Sequence, residues 1–557
     1  MKKQIFLSAV ILLLHYAETD AQLMPFSTIE YVDINNLRAS VLLHGDLWSQ
    51  PLNGPNPACE FPKGSGRHTM MGGALWMAGY GDNGKLHVSA QMYRGTGNDY
   101  WPGPLDNTGS TTAPIINQWA KIWKINQSDI SKFLSLTNRD SINTPRVILE
   151  WPAKGNLHAK GNGGASIVVD RDMAPYVDAN KDGKYNALDG DYPEMKGDQM
   201  LWWIFNDNGI THNFSTNGGV PFKAEIKACA YAFKKSTSAD NIIFYEYQVA
   251  NRSTTNYTDF RMGLWIDPDL GYAFDDFIGF DSSRRMGIVY NGRPEDGNGE
   301  PESYGSQVPT AAVTLLSMPG DNQNSKVPAG SFVYHNNGNG VLGDPATDSD
   351  YDNYMRALLK NGDPFRNDFV GKGVVSRGFG TGPATKYVFP GDPSDNKQWS
   401  ECASNNQPYD RRFLITSNDF NFNAGATEKL VFALVVTDPI PAYSCNDGFN
   451  EIKKVADSAQ QIHKSLQSVS VGRIHTASSQ INAYPNPASS MLYIEGLNSA
   501  VANNAVRVYD NIGRLIATEN IYKDGRLQID ISRLAPGMYY IQCRDGEIQH
   551  NSRFIKE

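Results

Sequence analysis

The sequence predicts a mainly β protein that contains several domains, with β-sandwiches as the dominant architecture. A length of 557 residues corresponds to about three or four domains. The 51 Gly and 30 Pro favour turns and strands over long helices. Apolar and polar residues alternate in Leu86–Met92 and Ile226–Ala232, as in half-buried strands. Two further segments, Asn241–Ala250 and Glu428–Thr437, are rich in β-branched and aromatic residues.

Composition narrows the class of protein. The hydrophobic content of 40% and aromatic content of 11% exclude a disordered chain. The formal net charge of -9 argues against nucleic-acid binding, because affinity for phosphates requires clustered Lys and Arg. We therefore expect folded domains whose partner is not a nucleic acid.

The N-terminus has the parts of a secretory signal peptide. Lys2 and Lys3 precede the apolar run Ile5–Leu14, and Ala21 provides a small residue at the exit. This run is too short to span a bilayer, and no other stretch reaches about 18 apolar residues. The sequence thus predicts a signal peptide over residues 1–21, no transmembrane span and an exported mature chain.

The body divides into an N-terminal β-rich region (22–175), a loop segment (176–194) and a β-sandwich region (195–445). A helix is predicted over Phe449–Ser465, because Ile452, Val455, Ala459 and Ile462 recur at helical spacing. The polar stretch 466–479 is predicted to be a linker, so residues 446–480 form a helix-and-linker segment.

The C-terminal stretch, residues 481–557, predicts a small antiparallel sandwich of short alternating strands separated by turn residues. Within it lie several short motifs: Tyr484-Pro485-Asn486-Pro487, Val508-Tyr509-Asp510, Gly513-Arg514, Leu534-Ala535-Pro536-Gly537-Met538-Tyr539 and Phe554-Ile555-Lys556. In this order they resemble the type A C-terminal sorting domain of the type IX secretion system. The resemblance implies an immunoglobulin-like β-sandwich that the type IX machinery recognises. It also implies passage across the outer membrane, removal of the domain, and release or attachment at the cell surface.

Four blocks of the body also resemble large, poorly characterised exported proteins of the same secretion system. They are Gly64–Thr69, Gly97–Pro104, Phe389–Pro393 and Asp410–Leu414. This similarity implies a shared export route and adds no functional assignment.

A calcium-binding loop is the strongest chemical motif. Oxygen ligands occur at loop positions 1, 3, 5, 9 and 12, with Gly183 at position 6 and a backbone carbonyl at position 7. The predicted ligand residues are Asp178, Asn180, Asp182, Lys184 (backbone), Asn186 and Asp189. Position 12 is Asp, whereas the EF-hand has Glu there. In this respect the loop resembles the calcium loops of dockerin and thrombospondin-type repeats. A metal-free surface turn is the alternative.

A second acidic segment is a further candidate metal site. It contains five carboxylates within one loop: Asp267, Asp269, Asp275, Asp276 and Asp281. Such carboxylates repel one another unless a cation, or Arg284 and Arg285, neutralises them. The sequence leaves open a second calcium site, a solvated turn and, more remotely, a carboxylate pair of a glycosidase.

No catalytic residue is predicted. The segment Gly79–Lys85 matches phosphate-binding glycine patterns, but Leu86 opens a strand where a helix would be required. Asp82-Asn83-Gly84 is therefore predicted to be a hairpin turn. The histidines show no zinc-ligand spacing, and no G-x-S-x-G or catalytic cysteine signature is present.

Aromatic and cysteine residues give two further expectations. Adjacent Trp202 and Trp203 should point to opposite faces of a strand, with at least one in the core. Removal of the sorting domain takes Cys543 with it. The four that stay, Cys59, Cys229, Cys402 and Cys445, allow up to two disulfides in an oxidising compartment.

Together these features predict a secreted or cell-surface, calcium-stabilised β-sandwich protein. Its expected function is adhesin-like, with an extracellular glycan or protein as the ligand. The alternatives are a secreted hydrolase, either glycosidase or peptidase, and a structural component of the surface layer.

Overall fold

A computed structural model describes residues 28–51, 56–93, 97–214, 219–322, 325–441, 448–471, 482–495, 506–510, 515–516, 520–523, 526–545 and 548–557. The chain divides into two compact units, one ending at His463 and the other beginning at Lys464. The predicted signal peptide lies outside the described residues.

The first unit is built mainly of strands. Up to residue 193 these are β1 (Ile29–Val32), β2 (Arg38–Leu42), β3 (Ser49–Gln50), β4 (Asn56–Pro57), β5 (Cys59–Glu60), β6 (His68–Met70), β7 (Gly72–Tyr80), β8 (Leu86–Ser89), β9 (Trp101–Pro102), β10 (Trp123–Asn126), β11 (Tyr176–Val177) and β12 (Tyr192–Pro193). Beyond residue 193 they are β13 (Gln199–Asn206), β14 (Ala224–Ala232), β15 (Ile242–Asn251), β16 (Tyr257–Asp267), β17 (Asp276–Asp281), β18 (Met286–Asn291), β19 (Gln307–Val308), β20 (Ala311–Ser317), β21 (Ser331–Asn336), β22 (Arg411–Thr416), β23 (Phe420–Phe422), β24 (Thr427–Val436) and β25 (Ile440–Pro441).

Helices are few and mostly short. They are α1 (Ala113–Trp119), α2 (Gln127–Leu134), α3 (Arg146–Leu149), α4 (Asp348–Met355) and α5 (Phe449–Val471). The helix predicted over Phe449–Ser465 is present as α5, which continues to Val471 into the segment predicted to be a linker. The rest of that predicted linker, residues 472–480, lies outside the described residues.

Two large antiparallel sheets form the sandwich of the first unit. One has the order β10-β13-β14-β15-β24-β20-β18-β17, with β9 added beside β13. The other has the order β21-β22-β16-β7-β8, with β23 added beside β16. Strands from before and after the predicted loop segment share these sheets, as when β7 pairs with β16 and β10 pairs with β13. The two predicted regions, 22–175 and 195–445, are therefore parts of one compact unit.

Aromatic side chains fill the space between the two sheets. Phe280 of β17 stacks on Phe332 of β21 with ring centroids 4.7 Å apart. In β18, Gly287 lies so close to the opposite sheet that a Cβ atom there would be 2.5 Å from the Phe413 ring. Burial of each large apolar side chain in this core contributes about 1.5–3 kcal/mol to the free energy of folding. Trp203 lies in this core, and Trp202 is buried on the other face against Trp123, so both tryptophans of the pair are buried.

The glycine-rich segment Gly79–Lys85 is a hairpin, as predicted. Strands β7 and β8 pair up to Tyr80 and Leu86, and the Gly81 N–H donates to the Lys85 carbonyl. Gly84 has a φ of +70°, a conformation that favours glycine. The segment therefore has no helix N-terminus at which a phosphate could bind.

The second unit contains two small antiparallel sheets. Its strands are β26 (Asn482–Tyr484), β27 (Met491–Glu495), β28 (Val506–Tyr509), β29 (Leu515–Ile516), β30 (Asn520–Lys523), β31 (Arg526–Asp530), β32 (Gly537–Asp545) and β33 (Ile548–Lys556). The sheet orders are β26-β27-β31-β30 and β29-β28-β32-β33. A separate apolar core includes Leu492, Ile529 and Ile541, each of which belongs to one of the alternating strands predicted from the sequence. This is the predicted small sandwich.

The first unit forms fewer disulfides than the maximum of two that its cysteines allow. Cys59 in β5 and Cys229 in β14 are both free and buried. Burial raises the pKa of each thiol to about 12, which keeps it protonated and unreactive. Cys402 is disulfide-bonded. The four cysteines of the first unit therefore cannot form two disulfides within that unit.

Thiol titration tests this arrangement. The full chain, folded under oxidising conditions, is expected to show three free thiols per chain after denaturation without reductant. Five cysteines with one disulfide leave that number. Under native conditions Cys59 and Cys229 should not react, because both are buried. A count of one thiol after denaturation would contradict the single disulfide.

Candidate functional site

A surface groove of about 460 Å³ lies at one end of the β21–β22 pair. Its walls come from the end of β21, the loop after it and the segment leading into β22. The residues that define it are Asn336, Val341, Arg377, Phe379, Tyr409 and Arg411. We call this site the aromatic groove. Its volume lies within the range of small-molecule sites in proteins.

A buried ion pair fixes the floor of the aromatic groove. The Arg411 guanidinium donates to the Glu401 carboxylate, with Nη2 3.0 Å from Oε2, and Glu401 is fully buried. Arg411 also donates to Asn336 Oδ1 at 3.1 Å and to the Gln407 carbonyl at 2.8 Å. Because three partners hold this guanidinium, its orientation is set before any ligand arrives.

The rim of the groove exposes apolar surface. Phe379 and Val341 are each 44% exposed and Tyr409 is 46% exposed. Outside the groove, the half-exposed Phe274 ring contacts Tyr409 edge to face at 5.7 Å. Large aromatic rings left open to solvent beside a concave site commonly mark a binding surface.

Exposed polar side chains also line the groove. The Asn337 and Gln407 side chains line it, are exposed and form no hydrogen bond among the described residues. Arg377 is also exposed and forms no salt bridge within the described part of the chain. The described groove-lining residues include no carboxyl, imidazole or thiol group. The groove therefore offers stacking surfaces, amides and one unpaired positive charge.

The other face of the same strands carries a row of polar residues. Arg412 pairs with His335 across β21 and β22. The β16–β22 ladder ends with Ile266 opposite Phe413, so Asp267 and Arg412 are the next residues on the two strands. Successive side chains of a strand point to opposite faces. Arg411 consequently faces the groove and Arg412 faces this second site.

Three carboxylates meet beside Arg412. One oxygen from each of Asp267, Asp269 and Asp410 lies within 4.8 Å of the other two. We call these three residues the acidic cluster. Arg412 Nη1 donates to Asp410 Oδ1 at 2.8 Å, and its Nε lies 3.6 Å from Asp267 Oδ1. The Tyr93 hydroxyl contacts the other Asp267 oxygen and Arg412.

Burial makes this concentration of negative charge costly. Asp267 is 1% exposed, and burial raises its pKa to about 7 although Arg412 opposes the shift. Burial, followed by the charges of Asp267 and Asp410, also raises the pKa of Asp269. If all three were ionised, three carboxylates with one guanidinium would leave an excess of negative charge in a site that is largely removed from water, and the raised pKa values reflect that cost.

A buried histidine borders the acidic cluster. His335 Nε2 accepts a hydrogen bond from the Trp265 indole N–H at 3.0 Å, and His335 Nδ1 lies 3.1 Å from Asp344 Oδ1. His335 is 1% exposed, and burial lowers its pKa. The hydrogen bond from Trp265 fixes the orientation of the imidazole ring and links β21 to β16 beside the acidic cluster.

The five carboxylates predicted from the sequence as a second metal site separate in space. Asp267 and Asp269 lie in the acidic cluster together with Asp410. Asp276 is fully buried, and burial, with smaller contributions from the charges of Asp296, Asp275 and Asp269, raises its pKa. Asp275 Oδ2 accepts from the Gly297 N–H at 2.9 Å.

Asp281 belongs to a different environment. It lies at the far end of β17 and accepts from Arg284 Nη1 at 2.8 Å. Arg285, the other predicted neutralising residue, pairs with Asp321 at 2.8 Å. The predicted five-residue set is thus divided by the length of a strand, and the sequence prediction missed Asp410.

The predicted calcium loop forms a tight turn. The Asp178 carboxylate accepts from the backbone N–H groups of Asp182 and Gly183, and Asn180 Oδ1 also accepts from Asp182. Gly183 has a φ of +78°, which favours glycine. Asn186 Nδ2 donates to Asp189 Oδ2 at 2.6 Å. The acidic and amide side chains at positions 1, 3 and 5 therefore gather around the turn, as oxygen ligands of calcium do.

One residue of this loop region was missed by the sequence analysis. Asp191 is fully buried and accepts from the N–H groups of Ala179 and Asn186, each at 2.8 Å. It ties the two ends of the loop together. The sequence motif ends at Asp189, two residues earlier, and therefore does not indicate a role for Asp191 in the loop. Tyr185 anchors the loop to the body through its hydroxyl, which donates to the Ile148 carbonyl.

Several predicted sorting-motif residues occupy defined positions in the second unit. Asn486 Oδ1 accepts from the Ile555 N–H at 2.9 Å, which ties the first motif to the last strand. Tyr539 is buried, stacks on Phe554 and donates its hydroxyl to the Ala535 carbonyl. Tyr484, Pro485, Pro487, Pro536 and Gly537 lie at the ends of strands or in turns of this unit. Gly513 lies outside the described residues.

Comparison with known proteins identifies the second unit. The family model described as a secretion system C-terminal sorting domain matches residues 482–557. No curated protein matches the chain. Among solved structures, a polysaccharide lyase is similar with 8% identity and a TM-score of 0.18, covering 60% of this chain. The chain spans 34% of that lyase, and a likeness at this level carries no argument about function.

Localisation follows from the sorting domain. A domain of this family directs export through the type IX machinery to the cell surface or the medium. Within the described residues, no helix combines the length and the apolar character needed to cross a membrane. The chain is a cargo protein of the type IX secretion system, and residues 482–557 are its C-terminal sorting domain.

Proposed function

We propose that this secreted or cell-surface protein binds an acidic extracellular glycan in the aromatic groove. The observation that carries the proposal is the combination of half-exposed Tyr409 and Phe379 with the unpaired Arg377 in one concave site. Apolar faces of sugar rings pack on aromatic rings, while amides and guanidinium groups bond to hydroxyl and carboxylate oxygens.

Charge distinguishes an acidic from a neutral sugar as the ligand. The positive charge of Arg411 is balanced by Glu401, whereas Arg377 has no acidic partner among the described residues. A uronic acid carboxylate would supply that partner, with the fork geometry that guanidinium groups bind best. Asn337 and Gln407 would then hydrogen-bond to hydroxyl groups along the same sugar chain.

The other predicted functions receive less support from this site. A glycosidase needs two carboxyl groups at the scissile bond, and the described groove-lining residues offer none. The hydrolase and surface-layer hypotheses stay predictions from the sequence. Glycan binding is also compatible with an adhesin-like role at the cell surface.

Removal of one aromatic ring tests the groove. Tyr409→Ala is expected to weaken binding of an acidic oligosaccharide about tenfold, since loss of a stacked ring costs on the order of 1–1.5 kcal/mol. Isothermal titration calorimetry with a uronic acid tetrasaccharide measures this change. Arg377→Gln should lower the affinity for an acidic oligosaccharide and leave the affinity for a neutral one unchanged.

A matched control uses Tyr540, which is 47% exposed and belongs to the sorting domain. Tyr540→Ala removes the same type of ring with similar exposure and should leave the affinity unchanged. Equal affinity of the wild type and the Tyr409→Ala variant would contradict the proposed site. The same conclusion would follow if no oligosaccharide bound the wild type.

We also propose that the Asp178–Asp189 loop binds calcium and stabilises the first unit. Support comes from the ligand spacing and from the gathered oxygens of Asp178, Asn180 and Asp182. The fitting set is Asp178, Asn180, Asp182, Asn186 and Asp189, with the Lys184 carbonyl. A Kd on the order of 10⁻⁴–10⁻³ M is typical of extracellular modules.

Calcium addition tests the loop. At about 100 times the Kd, calcium stabilises by about 2.7 kcal/mol, which raises the Tm by on the order of 3 °C. Replacing Asp178 and Asp182 together by Asn should reduce this increase in differential scanning calorimetry. Asp172→Asn, an exposed carboxylate just before the loop, is the control. An identical calcium-dependent increase in the double variant would argue against the loop.

Deletion of the sorting domain tests the route of export. A chain that lacks residues from 478 onward is expected to accumulate in the periplasm, because the type IX machinery no longer recognises it. Cell fractionation measures the distribution. In the reciprocal experiment, residues 478–557 fused behind a signal peptide and a reporter should carry the reporter to the surface. Normal surface delivery of the truncated chain would contradict the assignment.

A further inference from the structure

We propose that Asp267, Asp269 and Asp410 together bind a calcium ion, at a site separate from the Asp178–Asp189 loop and from the aromatic groove. The three residues come from the end of β16, the segment after it and the residue before β22. An ion there would join two chain segments that are more than a hundred residues apart in the sequence.

The spacing of the carboxylates suits calcium. One oxygen of each residue lies within 4.8 Å of the others. Calcium–oxygen distances are about 2.3–2.6 Å, so ligands on opposite sides of the ion are separated by up to about 4.6–5.2 Å. The three oxygens can therefore belong to one coordination sphere. A ligand set of carboxylates alone favours a hard cation.

The second observation is an unpartnered buried oxygen. Asp267 is 1% exposed, and its Oδ1 accepts no hydrogen bond. The Arg412 guanidinium forms an ion pair with this oxygen, but its Nε lies 3.6 Å away, which is too far for a hydrogen bond. Buried carboxylate oxygens normally have a partner, because an unpaired one carries the full cost of desolvation.

Asp269 and Asp276 strengthen the case. Among the described residues, Asp269 accepts no hydrogen bond and forms no ion pair. Asp276 is fully buried, its Oδ1 also accepts no hydrogen bond, and burial, with a smaller contribution from the charge of Asp269, raises its pKa. Arg412 provides one positive charge for three carboxylates, and a divalent cation would balance the other two when all three are ionised.

The site has a structural consequence for the aromatic groove. Asp410 lies between Tyr409 and Arg411, both of which line the groove. A cation held by Asp410 would anchor this segment from the opposite face of the sheet. The proposal does not depend on the identity of the groove ligand, because the cation is measured directly.

Calcium titration of the full chain tests the proposal. The starting protein carries Asp178→Asn and Asp182→Asn, so that the loop does not contribute. In calorimetry, adding Asp269→Asn should remove one calcium per chain or weaken it at least tenfold. Asp410→Asn should do the same. Asp281→Asn, a carboxylate of the same acidic segment held by Arg284, is the matched control and should retain the site.

Terbium luminescence gives a second readout that does not require a change in stability. Tb³⁺ replaces calcium and is excited through nearby aromatic rings, and Tyr93 contacts both Asp267 and the Trp265 ring. Sensitised emission that calcium displaces, and that Asp269→Asn abolishes, supports the site. Asp269 is a suitable position for this substitution, because the change to Asn removes no hydrogen bond or ion pair among the described residues. Unchanged calcium stoichiometry and emission in Asp269→Asn and Asp410→Asn would overturn the proposal.

Discussion

The alternation of side chains along β21 and β22 is the constraint on which both sites depend. Arg411 and Arg412 are neighbours in the sequence, but one is held by Glu401 beneath the aromatic groove and the other by Asp410 in the acidic cluster. A shift of register by one residue would turn both guanidinium groups to the opposite faces of the sheet and separate Arg411 from Glu401. The packed aromatic core opposes such a shift, since the Phe413 and Phe332 rings lie so close to Gly287 of the opposite sheet that a Cβ atom there would clash with both.

Electrostatics indicates that the acidic cluster on its own does not stabilise the fold. Replacing the buried acidic cluster by apolar residues would relieve repulsion between carboxylates, and buried charges are in general weak contributors to folding. A fold that keeps three such residues together needs another reason for them. A cation available outside the cell would provide it, because binding to the folded chain alone adds stability by mass action. Export by the type IX system places the protein in that environment.

Local features were predictable from the sequence, and features made by distant residues were not. The Gly79–Lys85 hairpin and helix α5 follow from turn chemistry and periodicity within one segment. The sorting domain could be recognised because its motifs are short and ordered. The acidic cluster needs Asp410 beside Asp267, which only the pairing of β16 with β22 achieves. No spacing rule connects those strands. Likewise the aromatic groove is assembled from separate segments of the chain, and the cysteine count set only an upper limit of two disulfides, without indicating that Cys59 and Cys229 are buried and free.

The most direct measurement of the central claim is a crystal structure of the protein grown with calcium and a uronic acid oligosaccharide. We expect sugar density against Tyr409 and Phe379, with a carboxylate at Arg377, and a calcium ion among Asp267, Asp269 and Asp410 on the other face of the strands. Sugar bound elsewhere, or a groove free of sugar at a concentration where calorimetry shows binding, would contradict it.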